Sequence, residues 1–164
     1  MKSIVKTVCF TGHRKLRNVE ILEIALKETI WKAINDGYYK FLTGGALGFD
    51  ELAANTVIFF KNKHPQIKLI LVLPFQKPYE HEKGWQEKDI EKYNLLLKKA
   101  DKKIILNEGY KKGCYYQRDR YLVDNSSLCI SYQTRKNGGT AYTVDYANKQ
   151  GIKVINLGDV PDFV

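Results

Sequence analysis

Short apolar runs alternate with helical stretches along the whole chain, and few folds tolerate that rhythm. The apolar runs occupy residues 4–10, 38–42, 67–73, 103–106, 128–132 and 152–157. Helical spacing fills the gaps, over residues 18–36, 51–63, 87–100, 115–124 and 141–150. In the first helix Leu22, Leu26, Ile30, Ala33 and Ile34 recur on one face, Asn18 can cap the start and Gly37 ends it. The run 67–73 is apolar almost throughout, as a strand covered on both faces is. Residues 75–85 read as a polar loop. This order predicts one domain over residues 1–164, a three-layer α/β fold with a mainly parallel sheet. In such sheets ligands bind beyond the carboxyl ends of the strands.

Four turns fall on that edge. The most telling is Thr43-Gly-Gly-Ala-Leu-Gly-Phe-Asp50, set between a strand and a helix. Gly44, Gly45 and Gly48 can take backbone angles closed to other residues and let a ligand approach the main chain, with Ala46 among them. The helix behind them offers free N–H groups and the positive end of its dipole, which suits phosphate. A tight strand-to-helix turn favours glycine even without a ligand. The same arrangement recurs at Asn137-Gly138-Gly139-Thr140. Thr11-Gly12-His13-Arg14 and Pro74-Phe75 close the other two strands.

The net charge of +9 raises the question of nucleic acid. Most of the 27 basic residues are lysines spread along the chain, as on an ordinary solvated surface. The arginines are few and placed: Arg14 and Arg17 follow the first strand, and Arg118, Arg120 and Arg135 precede the second glycine turn. Arginine is the side chain suited to bidentate phosphate contacts, so this placement points to an anionic ligand.

Other classes find little support. No apolar run approaches the ~20 residues that span a bilayer, so no membrane partner is expected. The first ten residues carry no signal-peptide pattern. Cys9, Cys114 and Cys129 are scattered, without metal-ligand or disulfide spacing, which suits a reducing cytoplasm. No metal or cofactor is expected.

Together, Thr11-Gly-His-Arg14, Gly44-Gly-Ala-x-Gly-x-Asp50, Leu73-Pro-Phe-Gln76 with Trp85, Arg118-Asp-Arg120, and Gly138-Gly-Thr140 with Tyr146-Ala147 resemble the SLOG superfamily, its YpsA-like branch in particular. The resemblance runs from about Thr7 to Leu157. It implies a Rossmann-like fold that binds a nucleotide or a nucleotide-derived molecule, as a sensor or a processing protein, and further copies of the chain as partners. Relatives include the LOG phosphoribohydrolases and the DNA-processing protein DprA, so N-glycosidic cleavage and nucleic-acid binding are the alternatives. LOG enzymes carry PGGxGTxxE with a catalytic glutamate. Here Asn137 replaces the proline, Ala141 the third glycine, and Asp145 the glutamate.

Cleavage of that kind needs a carboxylate near the ribose and a cation near the phosphate. Asp50, Glu51 and Asp145 are the candidate carboxylates, with Asp145 and Asp50 the catalytic choices. Asp50 equally suits a helix cap, and Asp145 a solvated helix face. Arg118 and Arg120 diverge by roughly 200° on a helix, so one of them is expected to face the ligand. His13 reads as a ligand contact, while His64 and His81 read as ordinary surface residues.

Overall fold

The computed structural model describes residues 6–159. Six strands, β1 (Thr7–Gly12), β2 (Lys40–Thr43), β3 (Lys68–Leu73), β4 (Lys102–Ile105), β5 (Leu128–Tyr132) and β6 (Lys153–Asn156), form one sheet in the order β4-β3-β2-β1-β5-β6. Every neighbouring pair is parallel. The helices are α1 (Val19–Asn35), α2 (Phe49–Lys61), α3 (Glu87–Lys99), α4 (Cys114–Asp124) and α5 (Gly139–Lys149).

Strand side chains alternate between two cores, because successive residues of a strand point to opposite faces. Val8, Phe10, Leu69, Leu71, Leu73, Leu128 and Ile130 face α1, α2 and α3. Cys9, Leu42, Val72 and Cys129 face α4 and α5, meeting Leu122, Val123 and Ala147. The result is the expected three-layer Rossmann-like arrangement, with a sheet parallel throughout its described strands.

Several boundaries move. Residues 4 and 5 of the first predicted strand lie outside the described residues. At its other end β1 runs on through Thr11 and Gly12, which pair with Ser131 and Tyr132 of β5. Asn18 does stand before α1, but in the left-handed region (φ 49°) and without a side-chain capping bond. The loop at 75–85 contains a 3-10 turn at Pro78–Glu80. The start of α3 is held by Asp89, whose carboxylate accepts the Gln86 N–H at 2.9 Å.

The chain changes direction across the sheet between β1 and β5: β2, β3 and β4 lie to one side, β5 and β6 to the other. A crevice opens at the carboxyl ends of strands at such a switch point.

Candidate functional site

A cleft of about 590 Å³ lies over the carboxyl ends of β1 and β5. Its wall contains Gly12, His13, Arg14, Ala46, Asp50, Arg118, Gly139 and Thr140 from the predicted set. Thr11, Arg135, His81, Glu82, Tyr115, Tyr116 and Asp119 complete most of the rest.

The two glycine turns do different work. At the first, Ala46 N–H donates to Asp50 Oδ2 at 3.2 Å, so the turn before α2 already holds an anion of the chain's own. Asp50 and Glu51 also fill the first turn of that helix. Gly44 is packed against Arg118, Gly45 (φ 72°) against Leu73 and Tyr93, and Gly48 (φ 85°) against the main chain of Arg14. None of these three lines the cleft. The second turn is open. Nothing lies within 4 Å of where a Cβ on Gly139 would sit, and α5 has no acid in its first turn. Gly138 (φ 95°) precedes that helix beside the Arg135 side chain. The free N–H groups of α5 therefore face the cleft with their positive dipole end uncompensated.

Arg118 is buried in the cleft wall. Its Nη1 donates to the Gly44 carbonyl at 2.7 Å and its Nε to Asp119 Oδ1 at 2.9 Å. Asp119 and Asp50 beside it hold its charge in place against the cost of burial. Burial also penalises Asp50 and raises its pKa to about 6, although the Arg118 guanidinium and the Ala46 N–H pull the other way. Arg120 points elsewhere, is exposed, and donates to the Tyr142 hydroxyl at 2.9 Å. The predicted divergence of the two arginines is thus observed, with Arg118 on the cleft side.

His13 is buried and accepts the Thr134 N–H at Nε2, 2.9 Å away. Its imidazole is therefore neutral with the proton on Nδ1. Burial and the Arg135 guanidinium both lower its pKa. This bond ties the β1 turn to the loop that carries Arg135.

Glu82 is one of the cleft residues that sequence patterns missed, together with Tyr115 and Tyr116. It accepts from the Tyr115 hydroxyl at 2.6 Å and from Trp85 Nε1 at 3.0 Å, and Arg14 Nη2 lies 3.5 Å away. It comes from the loop after β3, where no spacing marks it. His81, from the same loop, is not the ordinary surface residue its sequence context suggests: it lines the cleft and stacks on Tyr110 with centroids 3.7 Å apart. Phe75 lies beneath, edge-on to His81, Tyr110 and Tyr115, and Pro74 accepts from Asn107 Nδ2 at 2.9 Å. Both shape the rim from below and neither lines the cleft. Asp145 is exposed on α5 and also stands outside the cleft wall.

Among the described residues no group of three or more His, Cys, Asp or Glu is placed to hold a metal ion. No helix there is long and apolar enough to cross a membrane.

The family model YpsA, described as the YspA SLOG family, matches residues 9–156. An uncharacterized SPbeta prophage-derived protein of Bacillus subtilis, YoqJ, is 33% identical over 123 residues, which is 68% of this chain and 70% of that one. The UPF0398 protein BH1768 of Halalkalibacterium halodurans is 32% identical over 158 residues, 89% of this chain and 82% of the relative. Among solved structures, DprA of Helicobacter pylori, described for its single-stranded DNA binding mode, is similar with a TM-score of 0.64 at 17% identity. That match covers 93% of this chain and 65% of DprA, so DprA has length this chain does not span. The Moco carrier protein of Chlamydomonas is similar with a TM-score of 0.55 at 20% identity, over 96% of this chain and 79% of that one. At these identities the likeness is one of fold.

Proposed function

The chain belongs to the YspA SLOG family, and from that premise we propose that it binds a nucleotide or nucleotide-derived molecule in the cleft over β1 and β5. The observation that carries this reading is the pairing of an open helix N-terminus at Gly139 and Thr140 with arginines on the same cleft. Phosphate belongs there, between the α5 N–H groups and Arg14 and Arg135. Asp50 and Glu82 offer acceptors to ribose hydroxyls, and Tyr115, Tyr116 and His81 offer flat faces to a base. Single-stranded DNA, bound by the Helicobacter pylori neighbour, and Moco, carried by the Chlamydomonas one, are compatible with a site of this chemistry.

Thermal-shift and calorimetric titration with nucleoside monophosphates, cyclic dinucleotides and NAD-derived molecules tests the reading. At least one should bind, and Arg135→Ala should weaken it. Absence of binding by every phosphorylated nucleotide defeats it.

One observation favours a second reading, cleavage of an N-glycosidic bond. Asp50 is a cleft carboxyl with a pKa of about 6, suited to exchange a proton near neutral pH. With Asp145 off the cleft wall, the general-acid role falls to Asp50 or Glu82. Release of free base from a nucleoside monophosphate, lost in Asp50→Asn, would support it. No release from any nucleotide leaves binding as the whole function.

A further inference from the structure

A second hollow, of about 210 Å³, lies at the sheet edge, between α3 and the β3–β4 pair. Leu73, Tyr79, Leu97 and Ile105 give it an apolar body. Gln76, Lys77, Asn94 and Lys103 add two amides and two ammonium groups, and no carboxylate lines it. Pockets for drug-sized ligands begin at about 300 Å³, so this one suits a molecule smaller than a nucleotide.

Two departures from ordinary protein structure meet here. Tyr93 is buried in the wall of the hollow, and its hydroxyl is the one buried side-chain polar atom among the described residues without a hydrogen-bond partner. Folded proteins rarely leave such a group unpaired. Burial, with Tyr79 and Glu82 nearby, raises its pKa, so it stays a hydroxyl and can donate. Lys77 holds a left-handed backbone (φ 55°), one of two non-glycine residues with a positive φ among those described. Strain of this kind gathers at ligand clamps. Its Nζ lies 3.8 Å from Glu80 Oε1, in an exposed pair that water screens.

We propose that this hollow binds a small organic acid with an apolar body, whatever fills the cleft. The donors select the charge. A carboxylate accepts from the Tyr93 hydroxyl and from the ammonium groups of Lys77 and Lys103, while a cation meets two like charges. The hydrocarbon part covers Leu73, Leu97 and Ile105. The loop that walls the hollow also reaches the cleft: Tyr79 lines the one, His81 and Glu82 the other. The Trp85 ring lies 5.5 Å from that of Tyr93 and 5.9 Å from that of Tyr79, so its emission reports on the hollow.

Trp31→Phe leaves Trp85 as the sole tryptophan of the chain. This variant is titrated with benzoate and isovalerate, and with benzamide and benzylamine as neutral and cationic counterparts, by fluorescence and calorimetry. The acids should bind saturably with a Kd of about 1 mM or below, and the counterparts at least tenfold more weakly. Tyr93→Phe should weaken the acids about tenfold without lowering the thermal melt of the free protein, because the hydroxyl has no partner to lose. Lys77→Gly should weaken them too, and raise the melt, because glycine takes a positive φ without strain. Arg135→Ala, in the cleft, should leave acid binding intact. Neither heat nor an emission change with either acid up to about 20 mM overturns the proposal. So does equal binding by the counterparts, or acid binding that is undiminished in Tyr93→Phe. Loss of acid binding in Arg135→Ala would put the acid in the cleft and overturns it as well.

Discussion

Arg118 Nη1 donates to the Gly44 carbonyl at 2.7 Å, and a Cβ on residue 44 would overlap the same guanidinium. The first glycine turn therefore serves an internal cation. Gly44→Ala should displace Arg118 and cost about 3–5 kcal/mol, since it breaks a buried charged network. Gly139→Ala meets no neighbour and should leave stability within about 0.5 kcal/mol while weakening ligand binding. Urea unfolding of both variants, with calorimetry on the second, checks the contrast. Equal destabilisation by the two would refute it.

Asp50 gives a pH signature. Its pKa is about 6 in the folded protein against an ordinary 3.8, so the folded state holds the proton more tightly. The stability that this proton confers is fully present below pH 3.8 and is lost as pH rises through about 6. A shift of this size corresponds to about 3 kcal/mol. Asp50→Asn should flatten the change in stability between pH 4 and 6 relative to wild type. Urea midpoints across a pH series measure it, and parallel curves would rule it out.

His13 behaves in the opposite sense. Its folded pKa is lowered, so its contribution is present above the unfolded value of 6.5 and is lost as pH falls through the folded value. Protonation would set a donor against the Thr134 N–H. A proton NMR titration should find the His13 ring still neutral at a pH where exposed histidines have titrated. His13→Ala should cost about 1–3 kcal/mol by leaving that N–H without its acceptor.

The arginines should separate into three groups. Arg14→Ala and Arg135→Ala should each weaken nucleotide binding roughly 10- to 150-fold while leaving the fold intact. Arg118→Ala should lower stability as well as affinity. Arg120→Ala should change affinity by about twofold or less, because its partner is the Tyr142 hydroxyl outside the cleft. Removing Lys98 and Lys99 together should matter as little, since exposed charges are screened at physiological salt. Calorimetry with the nucleotide returned by screening compares all five. A larger effect from the lysine pair than from Arg14 and Arg135 would move the ligand off the cleft.

Nucleic acid makes a separate prediction. If DNA is a ligand, its affinity should fall steeply between about 50 and 200 mM salt as phosphate contacts release counterions. Tyr110 and Tyr116, half exposed at the cleft rim, would then stack on bases, and their alanine variants should weaken binding. Negligible affinity at ~0.15 M salt would remove DNA from the candidates.

The sequence by itself determined the architecture. Alternating apolar and helical periods dictated strands covered on both faces, and that in turn dictated a parallel sheet with its ligand edge at the carboxyl ends. It also named much of the cleft, because Thr11–Arg14 ends β1 and Gly139–Thr140 follows β5, strands that lie side by side at the switch point. What it did not contain was which turn stays open. Gly44-Gly45 and Gly138-Gly139 look alike as strings, yet the first pair is packed against Arg118, Leu73 and Tyr93, while in the second Gly139 faces open space and Gly138 meets only the Arg135 side chain. That difference arises from α4 and α3, elements distant in the chain. Glu82 was hidden for the same reason: its partners Arg14 and Tyr115 lie 68 residues before it and 33 after it, and only the closed fold brings them together. Local periodicity decides which segments pair. Which side chains meet over a cleft depends on contacts that no local pattern encodes.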